Sequence, residues 1–254
     1  VCTSSNVKKI FQWAQKKNKK ILFIPDQHMG ENVAYWLGIK NLAYWPGGTA
    51  GAQYSLEAQD KKTLEQFDKS ELILFASECA VHSYYQPYMC DYWHHQGYTT
   101  IVHPECRNDV VRIAQHAGST AFIWDYVVND RAGTKQYAIG TENHMVENLK
   151  QYCATLGIHV VNLAEAPQDY NAKGLGCGCA TMSRNDPPHL VALLDLLRQG
   201  KTMEYNEVYA GDMVNEFTGT RNRLQPTDQT WVIENAKKAL QMMIDITEDK
   251  APTS

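Results

Sequence analysis

The stretch TIVHPEC, Thr100–Cys106, joins a short apolar and β-branched run to a histidine, a proline and a glutamate. Such a run is typical of a buried strand, because β-branched side chains pack well on a pleated surface. Pro104 suits the first turn of a helix, so we expect His103 and Glu105 at the positive end of a helix dipole. A strand followed at once by reactive side chains is the pattern that organises the whole chain.

The same order recurs along the sequence. FIPDQH, LFASECAVH and YAIGTENHM also place polar residues directly after an apolar run, and in GSTAFIW the polar residues come first. Amphipathic segments separate several of these runs, which predicts an α/β fold with parallel strands. Ligands bind beyond the carboxyl ends of such strands, so these segments deliver His, Cys, Glu, Ser and Thr to one crevice. The predicted strands are Ile21–Ile24, Leu42–Trp45, Leu72–Phe75, Thr99–Val102, Thr120–Ile123, Tyr137–Ile139 and Ile158–Asn162.

Helices are predicted from apolar periodicity and end signals. One helix covers Pro104–Ala117 and stops at Gly118. Another begins after Asp186 as its N-cap, and a long one covers about Trp231–Ile246. The helix after Asp186 is expected to bury a stripe formed by Leu190, Leu193, Leu194 and Leu197.

Length and composition exclude several classes of protein. A chain of 254 residues can bury a sizeable core, as one large domain or two ordinary ones. The net charge of −4, with no basic stripe interleaved with aromatics, argues against nucleic acid as a partner. No apolar run approaches the roughly 20 residues of a membrane span, so no membrane partner is expected. Seven cysteines, an odd number spread over a large chain, favour a reducing, cytoplasmic setting.

Thiols stand out at two places. Cys177 and Cys179 lie one residue apart in the glycine-rich stretch GLGCGC, and Cys79 and His82 follow a predicted strand. Core thiols, a redox pair and metal ligands all remain open for these residues. Thiolates from distant segments can converge on one iron-sulfur cluster, because they need only meet in space.

Other polar residues fit binding or proton transfer. His103 and Glu105 suit general acid–base work on a substrate proton within about 3 Å, although Glu105 also fits a plain helix N-terminal acid. Ser119 and Thr120 suit an anchor for a carboxylate or phosphate, or an ordinary turn. Ser4 precedes a predicted helix, where it fits a cap or an anion contact. The sequence lacks G-x-G-x-x-G after a strand and a P-loop, so dinucleotide and P-loop nucleotide binding lack support.

Seven motifs in order carry a resemblance to a known family: CTSSN, PDQHMG, CAVH, HPEC, GSTA, GTENHM and CATM. Together, over about residues 1–199, they resemble the quinolinate synthases, iron-sulfur enzymes of NAD biosynthesis. The resemblance implies repeated three-layer α/β/α domains with short parallel sheets in a pseudo-threefold arrangement. Residues 1–78 would then complete the second domain and 79–175 form the third. Residues 176–254 would hold a cluster-cysteine turn and C-terminal helices that pack on the first domain.

The resemblance also implies the chemistry. A 4Fe-4S cluster, held by three cysteines with one iron left open, would act as a Lewis acid. Iminoaspartate, supplied by an aspartate oxidase or dehydrogenase, would condense with dihydroxyacetone phosphate to give quinolinate, phosphate and water. The residues that match the family's motifs are Cys79 and Cys179 as cluster ligands, Glu105 as the acid–base residue, His103 and His82 as substrate contacts and proton-transfer aids, Ser119 and Thr120 as carboxylate anchors, and Ser4 as an anchor for polar groups.

Three departures from the family pattern accompany this match. The third cluster cysteine is expected upstream of Val1, about thirty extra residues separate WPGG from Cys79, and Cys177 is an extra thiol beside Cys179. Two other interpretations remain. One is a non-catalytic iron-sulfur or redox-sensing module that uses Cys79, Cys177 and Cys179. The other is a zinc-dependent hydrolase that uses His82, His103 and Glu105.

Overall fold

A computed structural model describes residues 1–17, 19–46, 56–167, 179, 186–202, 209–211, 213–214 and 221–250. The chain divides into two compact units, Cys2–Ala180 and Thr181–Ser254. The predicted domain boundaries at 78 and 175 stay a prediction.

The first unit is built on two short parallel sheets. One sheet has the strand order β1-β3-β2, and the other has the order β5-β4-β6-β7, with every neighbouring pair parallel. The predicted α/β class with short parallel sheets is therefore confirmed, and it is consistent with three-layer α/β/α domains. The strands are β1 (Ile21–Phe23), β2 (Leu42–Trp45), β3 (Leu72–Phe75), β4 (Thr99–Val102), β5 (His116–Ala117), β6 (Gln136–Gly140) and β7 (His159–Asn162).

Helices pack against both sheets and bury their apolar faces there. Val33 is fully buried with Leu72 and Leu74 of the first sheet, and Leu149 is fully buried with Ile139 of the second. The described helices of this unit are α1 (Val7–Lys16), α2 (Gln27–Leu37), α3 (Lys61–Lys69), α4 (Ala80–Ser83), α5 (Pro87–His95), α6 (Asn108–Ile113), α7 (Thr120–Val128) and α8 (Asn143–Ala154), with 3-10 turns at Leu56–Ala58 and Leu163–Glu165.

The predicted helix over Pro104–Ala117 is wrong. Only α6 is helical there, and His116–Ala117 pairs with β4 as strand β5. The Gln115 side chain accepts the backbone N–H of Thr100 at 3.0 Å, and the Thr100 hydroxyl accepts the N–H of Gln115 at 3.2 Å. These bonds hold the chain at the edge of the sheet and end the helix early. Gly118 therefore follows a strand rather than a helix.

The predicted strand over Thr120–Ile123 is also wrong, because these residues begin helix α7. The Ser119 side chain accepts the backbone N–H of Phe122 at 3.3 Å and caps the helix. This cap provides an acceptor for an N–H that has no partner inside the helix. The resulting stabilisation of the helix outweighs the preference of these residues for a strand.

The second unit contains helix α9 (Pro187–Arg198), helix α10 (Pro226–Thr247) and the antiparallel strands β8 (Met213–Val214) and β9 (Arg221–Asn222). The predicted cap is present, since the Asp186 carboxylate accepts the N–H of His189 at 2.8 Å. The predicted buried stripe is wrong for this structure: Leu190, Leu194 and Leu197 are 56%, 55% and 51% exposed, because no described element covers that face. Among the described helices, none is both long and apolar enough to cross a bilayer.

Gly30 allows helix α2 to lie close to the first sheet. A Cβ at this position would overlap with the side chains of Leu74 and Phe23. We expect Gly30→Ala to destabilise the fold by about 1–3 kcal/mol, since overpacking outweighs a gain of about 1 kcal/mol in helix propensity. Urea unfolding of this variant, of Leu74→Ala and of the double variant measures the effect. The double variant should lose less than the sum of the single losses, and strict additivity would contradict the close packing.

Candidate active site

Asp26 and Cys79 meet beyond the carboxyl ends of neighbouring strands. Asp26 follows β1, and Cys79 follows β3, which pairs with β1 in parallel. One carboxylate oxygen of Asp26 accepts the N–H of Met29 at 2.7 Å and caps α2, and the other accepts the N–H of Cys79 at 3.0 Å. Asp26 therefore fixes the backbone of Cys79, whose side chain is half-buried.

Cys79 lies in a compact group with His82 and Glu105. Their sulfur, nitrogen and oxygen ligand atoms all lie within 4.8 Å of one another. His82 is 7% exposed, and its Nδ1 lies 2.9 Å from Oε2 of Glu105. This contact has the distance of an ion pair without the alignment of a hydrogen bond, so Nδ1 is a buried polar atom that lacks an aligned partner.

His103 completes the group from the end of β4. Its ring stacks on that of His82 with centroids 4.5 Å apart, and its Nδ1 lies 3.8 Å from the Glu105 carboxylate. The N–H of Glu105 approaches the same Nδ1 at 3.3 Å. His103 and Glu105 lie in the turn that precedes α6, so the expected position at a helix N-terminus is wrong.

The electrostatics of the group favour charged forms on three of its members. The interaction with the neighbouring His82 side chain is the main reason why the pKa of the Cys79 thiol lies below its usual range, against the effect of burial. Burial lowers the pKa of His82, but Cys79 and Glu105 outweigh it and raise that pKa to about 9. Burial would raise the pKa of Glu105, yet the contact with His82 lowers it. Burial, assisted by the charge on His82, lowers the pKa of His103 to about 4.

At neutral pH the site therefore presents a thiol biased towards thiolate, an imidazolium at His82, a carboxylate and a neutral imidazole at His103. A carboxylate and a neutral imidazole can accept protons, and an imidazolium can donate one. A half-buried thiolate is also the form of cysteine that binds metals.

Thr141 is a contact of the site that sequence reasoning missed. Its hydroxyl lies 3.2 Å from Nε2 of His82, directly after strand β6. Tyr85 donates its hydroxyl to the backbone oxygen of Thr141 and so holds this residue in place. A signal for this residue is present in the sequence, because YAIGTENHM places Thr141 among the polar residues that directly follow a predicted strand.

For the other predicted site residues the structure gives their place in the chain's elements and their burial. Ser119 is buried as the cap of α7, and Thr120 is exposed in its first turn. Ser4 lies in the turn before α1, and Cys179 is half-buried. Cys177 lies outside the described residues. The substrate and ligand roles of these residues stay predictions.

The sequence of this chain is similar to those of known proteins of one family. The family described as quinolinate synthetase A protein, NadA, matches residues 1–214. Three quinolinate synthases share 34% identity with this chain (Acidobacterium capsulatum), 36% (Rhodopirellula baltica) and 37% (Geobacillus kaustophilus), over 85%, 79% and 78% of it. The alignments cover 54%, 47% and 49% of those relatives, so the chain spans about half their length. The chain belongs to the quinolinate synthetase A (NadA) family of enzymes.

Proposed function

We propose that a polypeptide which extends this chain to the full length of its family synthesises quinolinate for NAD biosynthesis. It would condense iminoaspartate with dihydroxyacetone phosphate and release phosphate and water, with iminoaspartate supplied by an aspartate oxidase or dehydrogenase. The observation that carries the proposal is the convergence of Cys79, His82 and Glu105 within 4.8 Å in a chain of this family.

We propose that the cysteine residues which this chain supplies fit the role of ligands to a 4Fe-4S cluster. Cys79 offers a half-buried thiol whose pKa is lowered and whose backbone is fixed by Asp26. Cys179 would supply a second thiolate, and a third would come from outside this chain. When bound, a cluster with one open iron supplies a Lewis acid that stabilises developing negative charge on a substrate oxygen.

The other residues of the group would bind substrate and move protons. We assign Glu105 as the general base, because its carboxylate is ionised and lies beside two histidines. His82, held by Thr141 on one nitrogen, would donate a proton or hydrogen bond to a substrate oxygen from its buried Nδ1. His103, neutral and stacked on His82, would accept or relay a proton.

Three hydroxyls would anchor the substrates. Ser119 and Thr120 would hold a carboxylate at the start of α7, where helix N–H groups favour a negative charge. Ser4 would contact polar groups of a substrate.

Quinolinate formation tests the function directly. The family-length polypeptide, prepared and reconstituted without oxygen, is supplied with freshly generated iminoaspartate and dihydroxyacetone phosphate. Chromatography should detect quinolinate and an equal amount of phosphate. Protein that carries iron and sulfide but forms no quinolinate would contradict the assignment and favour the non-catalytic iron-sulfur module.

A zinc site is a second candidate, favoured by one observation. Cys79, His82 and Glu105 offer one thiolate, one imidazole and one carboxylate within 4.8 Å, a donor set that also suits tetrahedral zinc with an open position. This set contains Cys79 in place of the His103 that the sequence predicted as the third zinc ligand. A zinc-dependent hydrolase would contain zinc without acid-labile sulfide, and its activity would survive exposure to air. Metal and sulfide analysis of anaerobically purified protein separates the two candidates.

A further inference from the structure

We infer that Asn32 is a positioning residue for Glu105, acting through the turn His103–Cys106. The inference deepens the proposed function and rests on the acid–base role proposed there for Glu105. Asn32 lies on helix α2, more than seventy residues before the turn that it holds.

The Asn32 side chain forms hydrogen bonds with the residues before and after Glu105. Its Nδ2 donates to the backbone oxygen of Pro104 at 2.8 Å and to that of Cys106 at 2.7 Å. Its Oδ1 accepts a hydrogen bond from Nδ2 of Asn108 at 2.9 Å. The side chain is completely buried, and both of its amide hydrogens have acceptors.

These bonds act on the backbone on both sides of Glu105. The turn is already closed by the N–H of Cys106, which donates to the oxygen of His103 at 3.0 Å. On its other side, the N–H of His103 donates to the oxygen of Gly140 at 2.9 Å. Among the hydrogen bonds between described residues, Asn32 is the only side-chain donor that binds both the Pro104 carbonyl, in the peptide just before Glu105, and the Cys106 carbonyl, one peptide further along the turn. Rotation of the peptide between Pro104 and Glu105 would move the carboxylate away from His82.

The same helix also positions the proposed cluster ligand. Asp26 caps α2 and binds the backbone of Cys79, while Asn32, on the second turn, binds the turn of Glu105. Helix α2 therefore ties two loops from different sheets to one rigid element. A displacement of a reacting group by about 1 Å costs on the order of 100-fold in rate, so this tie affects catalysis directly.

The test compares Asn32→Asp with two controls in the family-length protein. Asn32→Asp keeps the shape of the side chain but replaces the donor to both carbonyls with an oxygen. Val33→Ala removes buried apolar volume from the same helix without touching the turn, so it controls for a general loss of stability. Asn108→Ala removes only the bond to Oδ1. If Asn32→Asp does not fold, Asn32→Ser, too short to reach both carbonyls, replaces it.

Three quantities are measured on each variant. They are kcat and KM, amide hydrogen exchange of residues 105–107, and iron and sulfide content. For Asn32→Asp we expect kcat to fall about 10- to 100-fold with little change in KM, faster exchange in the turn, and unchanged iron and sulfide. Val33→Ala and Asn108→Ala should keep kcat within about twofold of the parent, and exchange in the turn should stay slow.

The outcomes separate this inference from the proposed function. Unchanged exchange in the turn of Asn32→Asp overturns the inference. Faster exchange in Asn32→Asp with full activity also overturns the inference if Glu105→Gln is inactive. The turn would then have lost its hydrogen bonds without any effect on catalysis by Glu105. If both Asn32→Asp and Glu105→Gln keep full activity, the acid–base role of Glu105 fails, and the positioning role fails with it. If Val33→Ala lost as much kcat as Asn32→Asp, a general loss of stability would explain both results, and the positioning role of Asn32 would be refuted.

Discussion

We expect Glu105→Gln to lower kcat for quinolinate formation by about 10²- to 10⁴-fold in the family-length protein, the range that applies when a general base is removed. The amide cannot accept a proton, although its size and position match those of the carboxylate. The protein should keep its iron and sulfide, because Glu105 is not among the proposed cluster ligands. Steady-state kinetics under anaerobic conditions, with metal analysis of the same samples, measures both quantities.

A matched control for this variant is Glu147→Gln. Glu147 lies on α8 in the same unit, its side chain is half exposed, and its carboxylate lies 3.8 Å from the ammonium group of Lys150. Its replacement should leave kcat unchanged. Full activity in Glu105→Gln would remove Glu105 from the chemistry, whereas a loss of iron in that variant would indicate that the carboxylate helps to bind the metal.

Cys79→Ala should abolish cluster binding and reduce quinolinate formation to background. A methyl group cannot replace one of the three thiolates that hold the cluster. The lowered pKa of Cys79 marks it as the thiol most ready to bind iron in this site. Iron and sulfide content, together with the visible absorption of the protein, measures the loss.

Cys153→Ala is the control for a general effect of removing a thiol. Cys153 is fully buried in the core of the second sheet, and burial raises its pKa, so it has a packing role. This variant should lose some stability but keep its iron, its colour and its activity. Retention of a full cluster by Cys79→Ala would show that Cys79 is not a ligand.

The fold class could be predicted from the sequence because its signal is local. Short apolar or β-branched runs bounded by polar residues marked six of the seven strands of the two sheets, several of them to the residue, as for Leu72–Phe75. Each segment of the site also had a local signal, because Cys79 and His82 follow the end of β3 and Glu105 follows the end of β4. Their convergence joins two different sheets, so the common edge of one parallel sheet does not account for it.

The errors arose where distant contacts decide the structure. The apolar period of Pro104–Ala117 predicts a helix, but bonds between Gln115 and Thr100 create the strand β5 instead. The bonds from Asn32 to the turn of Glu105 join residues more than seventy positions apart, so no local pattern could predict them. The exposed leucines of α9 follow a correct helical period, but a period alone does not supply the surface that would cover them.

The proposed function requires iron to bind at Cys79, beside His82 and Glu105. Crystals of the anaerobically prepared family-length protein, measured on both sides of the iron absorption edge, test it most directly. We expect an anomalous peak for a group of four irons, one of which is bonded to the Cys79 sulfur. A peak for a single zinc there, or iron bound only at other cysteines, would contradict it.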